Sequence, residues 1–391
     1  MDSPMMILAR PSISPYLART LFELGEPVVL SEEFPVAMRP ALNILAPEEV
    51  LKNPRAAYQS RILTSSENAL QFLYEAIPHD DRVLKARIFK DKAAFRRSIR
   101  KLFPEFFFRE FSLSELDSVD PASFPFPLVL KPSVGISSIG VYRVATRDDW
   151  KNAVEFLKAD LAKYQANYAD AVVESGKIIL EEWIDGVELA IDGYFNSDAE
   201  PVILNILQHL FAGPEDTSDR CYFTHRALIR KYYSSLQSFL KRFGDIFDLK
   251  RFPFHLEVRC TPDGRILPIE LNPLRFAGLG TTELAEYAYG INVYRAFFRE
   301  EKPDWDNLLG GKDPSIYSFM CADVPTELFR KPGLRIHDRE FFKQFEEILD
   351  YRILSETETS TFAVIFYRSK DLSENEKLIR LDLAPYFSIS G

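Results

Sequence analysis

Cysteine is scarce. Cys221, Cys260 and Cys321 are too few and too scattered for a disulfide framework, and with five histidines they form no C-x-x-C or H-x-x-x-H cluster. A reducing, cytoplasmic setting is expected, and Cys260 reads as an inert thiol with no base beside it. Long apolar runs are missing too. None approaches the ~20 residues that span a bilayer, and the opening Met1-Asp2-Ser3-Pro4 has neither the basic nor the apolar stretch of a leader, so no membrane partner is expected. Positive charge is in deficit, with 48 Lys and Arg against 58 Asp and Glu and a formal charge of -10. Such a surface repels a phosphate backbone, which argues against nucleic acid as a main partner.

What the chain does contain is material to bury. Hydrophobic residues make up 46% of the 391, with 32 Phe and 17 Tyr, which excludes disordered and low-complexity classes and suggests two or three domains. The opening alternates strand (5–9), helix (14–24) and strand (27–30). A further strand (61–63) and a helix (67–77) capped by Ser65-Ser66 follow, as in a parallel α/β sheet. No G-x-G-x-x-G accompanies it, so this unit, residues 1–85, carries no dinucleotide fingerprint. A basic helix starts after Asp91, and its run 96–101 reads as a solvated face. Prolines 121, 125 and 127 mark a linker. Beyond it come strands at 128–131 and 141–144, a helix at 148–168, strands at 177–183, 188–196 and 202–207, and a helix at 227–243. A hairpin (254–260 and 265–271) and a helix at 282–299 complete the unit. Residues 312–391 read as a smaller α/β piece.

Three segments carry chemistry. In Lys131-Pro-Ser-Val-Gly135-Ile-Ser137-Ser138-Ile-Gly140-Val141-Tyr142 the glycines have Walker spacing, but Val141 and Tyr142 stand where that loop needs Lys and Ser/Thr. The lysine precedes the loop instead, so Lys131 can offer a point charge from a strand while loop N–H groups wrap phosphate oxygens; a surface hairpin with a salt-bridged lysine is the alternative. In the hairpin, Glu270 and Asn272 share one strand face, and Glu257 joins them if the turn contains an even number of residues. A three-residue turn with a bulged Gly264 would send Glu257 to the other face unless a second bulge, for which Pro268 marks a place, corrected it. Two carboxylates and a neutral oxygen suit a hard cation shared with phosphates, while exposed glutamates on a polar face are the plain alternative. Third, Glu181-Glu182-Trp183-Ile184-Asp185-Gly186-Val187-Glu188 ends an apolar strand in acids, an aromatic and a turn, a setting for an adenine edge and ribose hydroxyls. His209, His225 and His255 are scattered and read as structural or solvated, although His255 shares a face with Glu257 and could touch substrate.

In this order and spacing the segments resemble the ATP-grasp superfamily, which includes D-alanine:D-alanine ligase and the related carboxylases and synthetases; the resemblance covers about 90–299. It implies an N-terminal parallel-sheet α/β domain, a two-lobed α+β ATP-grasp module over 86–311 with a lid lobe near 121–184, and the C-terminal α/β piece. By resemblance, Lys92 and Lys131 contact ATP phosphates under the loop Gly135, Ser137, Ser138, Gly140. Glu181, Trp183 and Ile184 line the adenine site and Glu188 the ribose. Glu257, Glu270 and Asn272 hold Mg²⁺, with Mn²⁺ an alternative, and Arg275 neutralises the transferred phosphate or a substrate carboxylate. Leu274 departs from the family pattern, because many relatives place Arg directly after Asn-Pro. The implied activity is ADP-forming ligation of a small-molecule carboxylate to an amine or other nucleophile through an acyl phosphate, with a homo-oligomer left open. A kinase acting on a hydroxyl, or an ATP-binding regulator without turnover, are the alternatives.

Overall fold

The computed structural model describes residues 4–10, 13–32, 39–134, 140–167, 176–213, 216, 218–311, 313–354 and 360–389. The N-terminal sheet is parallel throughout, with strands in the order Ile44–Leu45, Val28–Leu30, Pro4–Leu8, Arg61–Thr64. Its first helix, Pro15–Leu24, has the ends its sequence dictates. The Ser14 side chain accepts from Leu17 N, Pro15 opens the first turn where no N–H is needed, and Gly25 closes the helix at φ 65°. The helix expected over 67–77 is shorter than the sequence pattern suggests, Ala69–Ala76. Ser65 is not its cap, because its hydroxyl is spent on both backbone groups of Ala9 (2.9 and 3.1 Å). Glu67 is therefore left in the loop ahead of the helix, a placement that matters below.

A second sheet is antiparallel and runs Phe108–Ser112, Lys177–Glu182, Leu128–Pro132, Tyr142–Val144. It begins ahead of the boundary near 121 expected from the prolines, since Phe108–Ser112 is its edge strand. Helix Trp150–Asn167 covers one face, entered through a Thr146–Asp149 capping box. Leu128, Leu130, Leu157 and Leu180 belong to a core separate from that of the rest of the chain, so this lobe is held by its own burial. Gly140 turns the chain back at φ 73°. A Cβ there would stand 3.1 Å from Leu157.

The largest sheet has eight antiparallel strands in the order Ile266–Pro273, Phe252–Cys260, Val187–Phe195, Pro201–Leu210, Cys221–Thr224, Ile316–Asp323, Thr361–Ser369, Ile348–Ile353. The last three strands come from the C-terminal residues, which thus extend the central sheet while keeping a core of their own around Phe341 and Phe362. Strand Cys221–Thr224, which the sequence pattern does not reveal, is the link. Helix Arg226–Phe247 lies against this sheet through Leu236, Phe239, Leu240 and Phe243. The single helix expected over 282–299 is broken: Leu284–Tyr289 ends at Gly290 with φ 70°, and Val293–Arg299 restarts on an Asn292 cap. All three cysteines are free and buried. Among the described residues no helix is long and apolar enough to cross a membrane.

Candidate active site

The site is built on the first three strands of the large sheet. An odd number of residues separates Cys260 from Ile266, so strict alternation would set Glu257 opposite Ile269 and away from Glu270. The register slips instead: Val258 pairs with Pro268, and Glu257 pairs directly with Glu270. Ile269 is the extra residue of a bulge, next to the proline that has no N–H to give the ladder. Glu257 and Glu270 thus share one face, as do His255 and Asn272, which also pair. The third strand completes that face, with Glu188 opposite Arg259, Ala190 opposite Glu257 and Asp192 opposite His255.

Two lysines grip Glu270. Lys92 Nζ lies 3.2 Å and Lys90 Nζ 3.6 Å from its carboxylate, and Lys90 also reaches Asn272 Oδ1 at 3.4 Å. Burial alone would raise the Glu270 carboxyl, yet these ammonium groups hold it well below the usual range. Glu257 goes the other way: burial and the Glu270 charge push it up, and His255 only partly offsets them. His255 is tied to Asp192 Oδ1 at 2.9 Å and approaches Glu257 at 3.4 Å. Burial disfavours its charged form, but Asp192 and Glu257 outweigh burial and raise it to about 9. Among the described residues no three His, Cys, Asp or Glu side chains are gathered to hold a metal by themselves. Two carboxylates and the Asn272 amide oxygen instead suit Mg²⁺, which takes one or two protein carboxylates together with substrate phosphates.

The N-terminal unit reaches into this site through Glu67. Its carboxylate accepts from Lys90 Nζ (2.7 Å) and from Arg275 Nη2 (2.9 Å). Arg275 is delivered by a strained turn, in which buried Leu274 sits at φ 59°, a region costly for a γ-branched side chain. The turn is held at both ends: Thr64 donates to the Leu274 carbonyl from its N (2.7 Å) and its hydroxyl (3.1 Å), and Leu274 N donates to the Pro253 carbonyl (2.8 Å).

The small antiparallel lobe supplies Lys131, which is buried and paired with Glu181. Glu181 also accepts from Arg96 Nε at 2.6 Å, and Arg96 donates in addition to the carbonyls of Pro268 and Ile269. The run 96–101 is therefore not a solvated face throughout, because Arg96 is only 4% exposed and braces the bulge that sets the Glu257–Glu270 register. It stands one helical turn from Lys92, and that i,i+4 spacing was the signal available for it. Nothing local marks Lys90, Glu67, His209 or Asp192. Burial, then Arg96 and Lys92, pull Lys131 below its ordinary value against Glu181. With Lys131→Ala, ATP affinity is expected to drop about tenfold or more in calorimetry. Thermal stability should change less, because Glu181 keeps Arg96; an unchanged ATP affinity would remove Lys131 from the phosphate site.

Despite its burial, Glu181 is held by Arg96 and Lys131 at about 2, against an ordinary 4.5. Below pH ~4.5 the unfolded chain binds a proton that folded Glu181 refuses, so the stability this group contributes is lost as pH falls from there toward 2. Glu181→Gln should flatten the acid limb of melting temperature against pH.

At the other end, two guanidiniums lie over the Trp183 ring, Arg143 at 4.7 Å and Arg259 at 5.0 Å from its centroid. Glu188 accepts from Arg259 (2.8 Å) and contacts His209 Nδ1 (2.9 Å), and Arg259 donates to the Ile184 carbonyl (3.2 Å). His209 is buried, stacked on Tyr222 at 4.4 Å. The structure thus gathers Lys92, Lys131, Glu181, Glu257, Glu270, Asn272 and Arg275 around one centre. Glu188 flanks it near the start of the strand Val187–Phe195, and Trp183 and Ile184 lie in the connection that precedes that strand. Gly140 closes the end of its loop, while Gly135, Ser137 and Ser138 lie outside the described residues.

A small antiparallel lobe thus meets the acids of a larger antiparallel sheet, with Arg96 joining Glu181 of the one to the Pro268 carbonyl of the other. Residues 124–283 match the model of the ATP-grasp domain. L-amino acid ligase from Bacillus licheniformis superposes with a TM-score of 0.64 at 19% identity, covering 100% of this chain and 98% of that one. Biotin carboxylase from Campylobacter jejuni gives 0.63 at 11% identity over 95% and 88% of the two chains. N5-carboxyaminoimidazole ribonucleotide synthetase from Thermotoga maritima gives 0.62 at 16% over 96% and 95%. The chain has the ATP-grasp fold.

Proposed function

We propose that the protein is an ADP-forming ligase that activates a small carboxylate as an acyl phosphate and passes the acyl group to an amine. The observation that carries this reading is the direct pairing of Glu257 with Glu270 beside Asn272, under Lys90, Lys92 and Lys131. A cluster of cations in a chain of net charge -10 is what a polyphosphate requires. Glu257, Glu270 and Asn272 would hold Mg²⁺, which supplies charge neutralisation on the β- and γ-phosphates. In the first step a carboxylate oxygen bonds to the γ-phosphorus, the bond from that phosphorus to the β,γ-bridging oxygen breaks, and ADP departs. In the second, the amine attacks the acyl carbon, inorganic phosphate leaves with the original carboxylate oxygen, and the amine loses a proton. Lys92 and Lys131 offset charge on the transferred group, and Arg275, oriented by Glu67, faces the phosphate or the substrate carboxylate. No covalent enzyme intermediate is needed. The 1–85 unit contributes Glu67 and, with it, a share in choosing the substrate.

The test is isotopic. A screen of carboxylates and amines for ADP release identifies the substrates, and the carboxylate is then labelled with heavy oxygen. The ligase reading requires label in the released phosphate. ADP with a stable phosphorylated alcohol would mean a kinase, AMP with pyrophosphate would mean adenylation, and either outcome ends the proposal.

A further inference from the structure

The two edges of the eight-stranded sheet are protected unequally. Ile266–Pro273 carries Pro268 and Pro273, and helix Asp81–Lys90 packs against it. Ile348–Ile353, at the opposite end, contains no proline, and among the described residues no strand lies beyond it. Its bonding groups divide by alternation. Leu354 N donates to the Phe362 carbonyl (2.8 Å), so Arg352 and Asp350, in the same register, turn their N–H and C=O groups toward Thr361–Ser369. Tyr351 and Ile353 therefore turn theirs outward, away from the sheet.

The side chains at this edge suit a contact. Tyr351 and Ile353 share one face, are 49% and 47% exposed, and the Tyr351 ring lies 4.3 Å from that of Phe342. Asp350 and Arg352 share the other face. Arg352 is anchored by Glu283, and Asp350 accepts from Tyr287 Oη (2.9 Å) while its side chain stays 41% exposed, so both charges are fixed at the edge. Read backwards, the run Leu349-Asp350-Tyr351-Arg352-Ile353 is complementary to itself. Outward-facing residues must meet outward-facing residues, so an antiparallel copy can be centred on Asp350, on Tyr351 or on Arg352. Centring on Asp350 or Arg352 sets like charges directly opposite each other. Centring on Tyr351 sets Asp350 of each copy opposite Arg352 of the other, and Ile353 opposite Leu349. In that ladder Asp350 and Arg352 form the non-hydrogen-bonded pair, the kind whose side chains stand closest.

We propose that Ile348–Ile353 is a homodimer interface, at which a second copy adds its own Ile348–Ile353 antiparallel about a twofold axis through Tyr351, joining the two large sheets into one. Such a contact is closed and stops at two copies. A foreign strand with one kind of charge would answer only Asp350 or only Arg352, whereas a second copy answers both. Glu257, Glu270 and Asn272 lie at the far end of the sheet, so the dimer leaves the candidate active site uncovered. The inference stands on the edge alone and is independent of the ligase reading.

Sedimentation velocity of the full chain at rising concentration is expected to show monomer and dimer in exchange, with nothing larger. Tyr351→Lys places two ammonium groups opposite each other and should weaken the dimer about tenfold, while Tyr351→Phe should leave it within about twofold of wild type. Cysteine crosslinking reads the register. In the proposed pairing the two Tyr351 Cα atoms stand about 5.5 Å apart, within the span of a disulfide, whereas Ile353 is about 13 Å from its counterpart. The three native cysteines are buried, so Tyr351→Cys should oxidise to a covalent dimer on a non-reducing gel and Ile353→Cys should not. Should Tyr351→Lys fail to fold, the two cysteine variants carry the test. A monomer at every concentration, assemblies larger than a dimer, a dimer that folded Tyr351→Lys leaves as tight as wild type, or Ile353→Cys crosslinking as fast as Tyr351→Cys would each overturn the proposal.

Discussion

Glu270→Gln is expected to lower turnover roughly a hundred- to a thousandfold while leaving the fold intact. The substitution keeps shape and hydrogen bonding but removes the one charge that both Lys90 and Lys92 face and that Mg²⁺ would share with the phosphates. Charge stabilisation by a bound cation is worth several kcal/mol, and each 1.36 kcal/mol is about tenfold in rate. The variant should melt within a few degrees of wild type, bind Mn²⁺ more weakly by paramagnetic resonance, and release ADP slowly at saturating ATP. Turnover within about threefold of wild type would mean that Glu270 holds no metal, and the carboxylate pair would then be a structural feature of the hairpin.

Arg96→Ala should be the most damaging single change to stability. The guanidinium is shared by the buried Glu181 carboxylate, the buried Pro268 carbonyl and the part-buried Ile269 carbonyl. Removing it leaves a buried carboxylate with only Lys131 and two carbonyls of the bulge without their donor, a loss of about 3–5 kcal/mol by comparison with other broken buried pairs. Melting temperature should fall by about 10 °C. Arg96→Lys should not restore it, since an ammonium cannot fork to a carboxylate and two carbonyls at once. ATP binding should fail as well, because the bulge that Arg96 braces is what turns Glu257 toward Glu270. A drop of under about 2 °C would show that the bulge holds its register without this contact.

The chain announces much of this locally. Ser14, Pro15 and Gly25 mark the ends of the first helix through groups within a few residues of one another. Glu270 and Asn272 lie on one strand face because side chains alternate with period two. The Gly135–Gly140 spacing, the lysine ahead of it and the acidic end of the strand Lys177–Glu182 are likewise features of short segments, and together they carried the resemblance.

Other features exist only once distant segments meet. Whether Glu257 joined Glu270 turned on one bulged residue, Ile269, and Pro268 allowed that bulge without dictating it. Tertiary structure decided it, because Arg96 arrives from another element to satisfy the bulge carbonyls. Glu67 lies 208 positions from Arg275, and no periodicity links a loop carboxylate to a guanidinium across that interval. The three C-terminal strands looked like a separate piece because their partner, Cys221–Thr224, is too short to show as a strand on its own. Local conformation follows from the nearest neighbours of each residue and can be read along the chain. Charge pairing, burial and sheet order depend on which surfaces exclude water together, and only the folded molecule determines that.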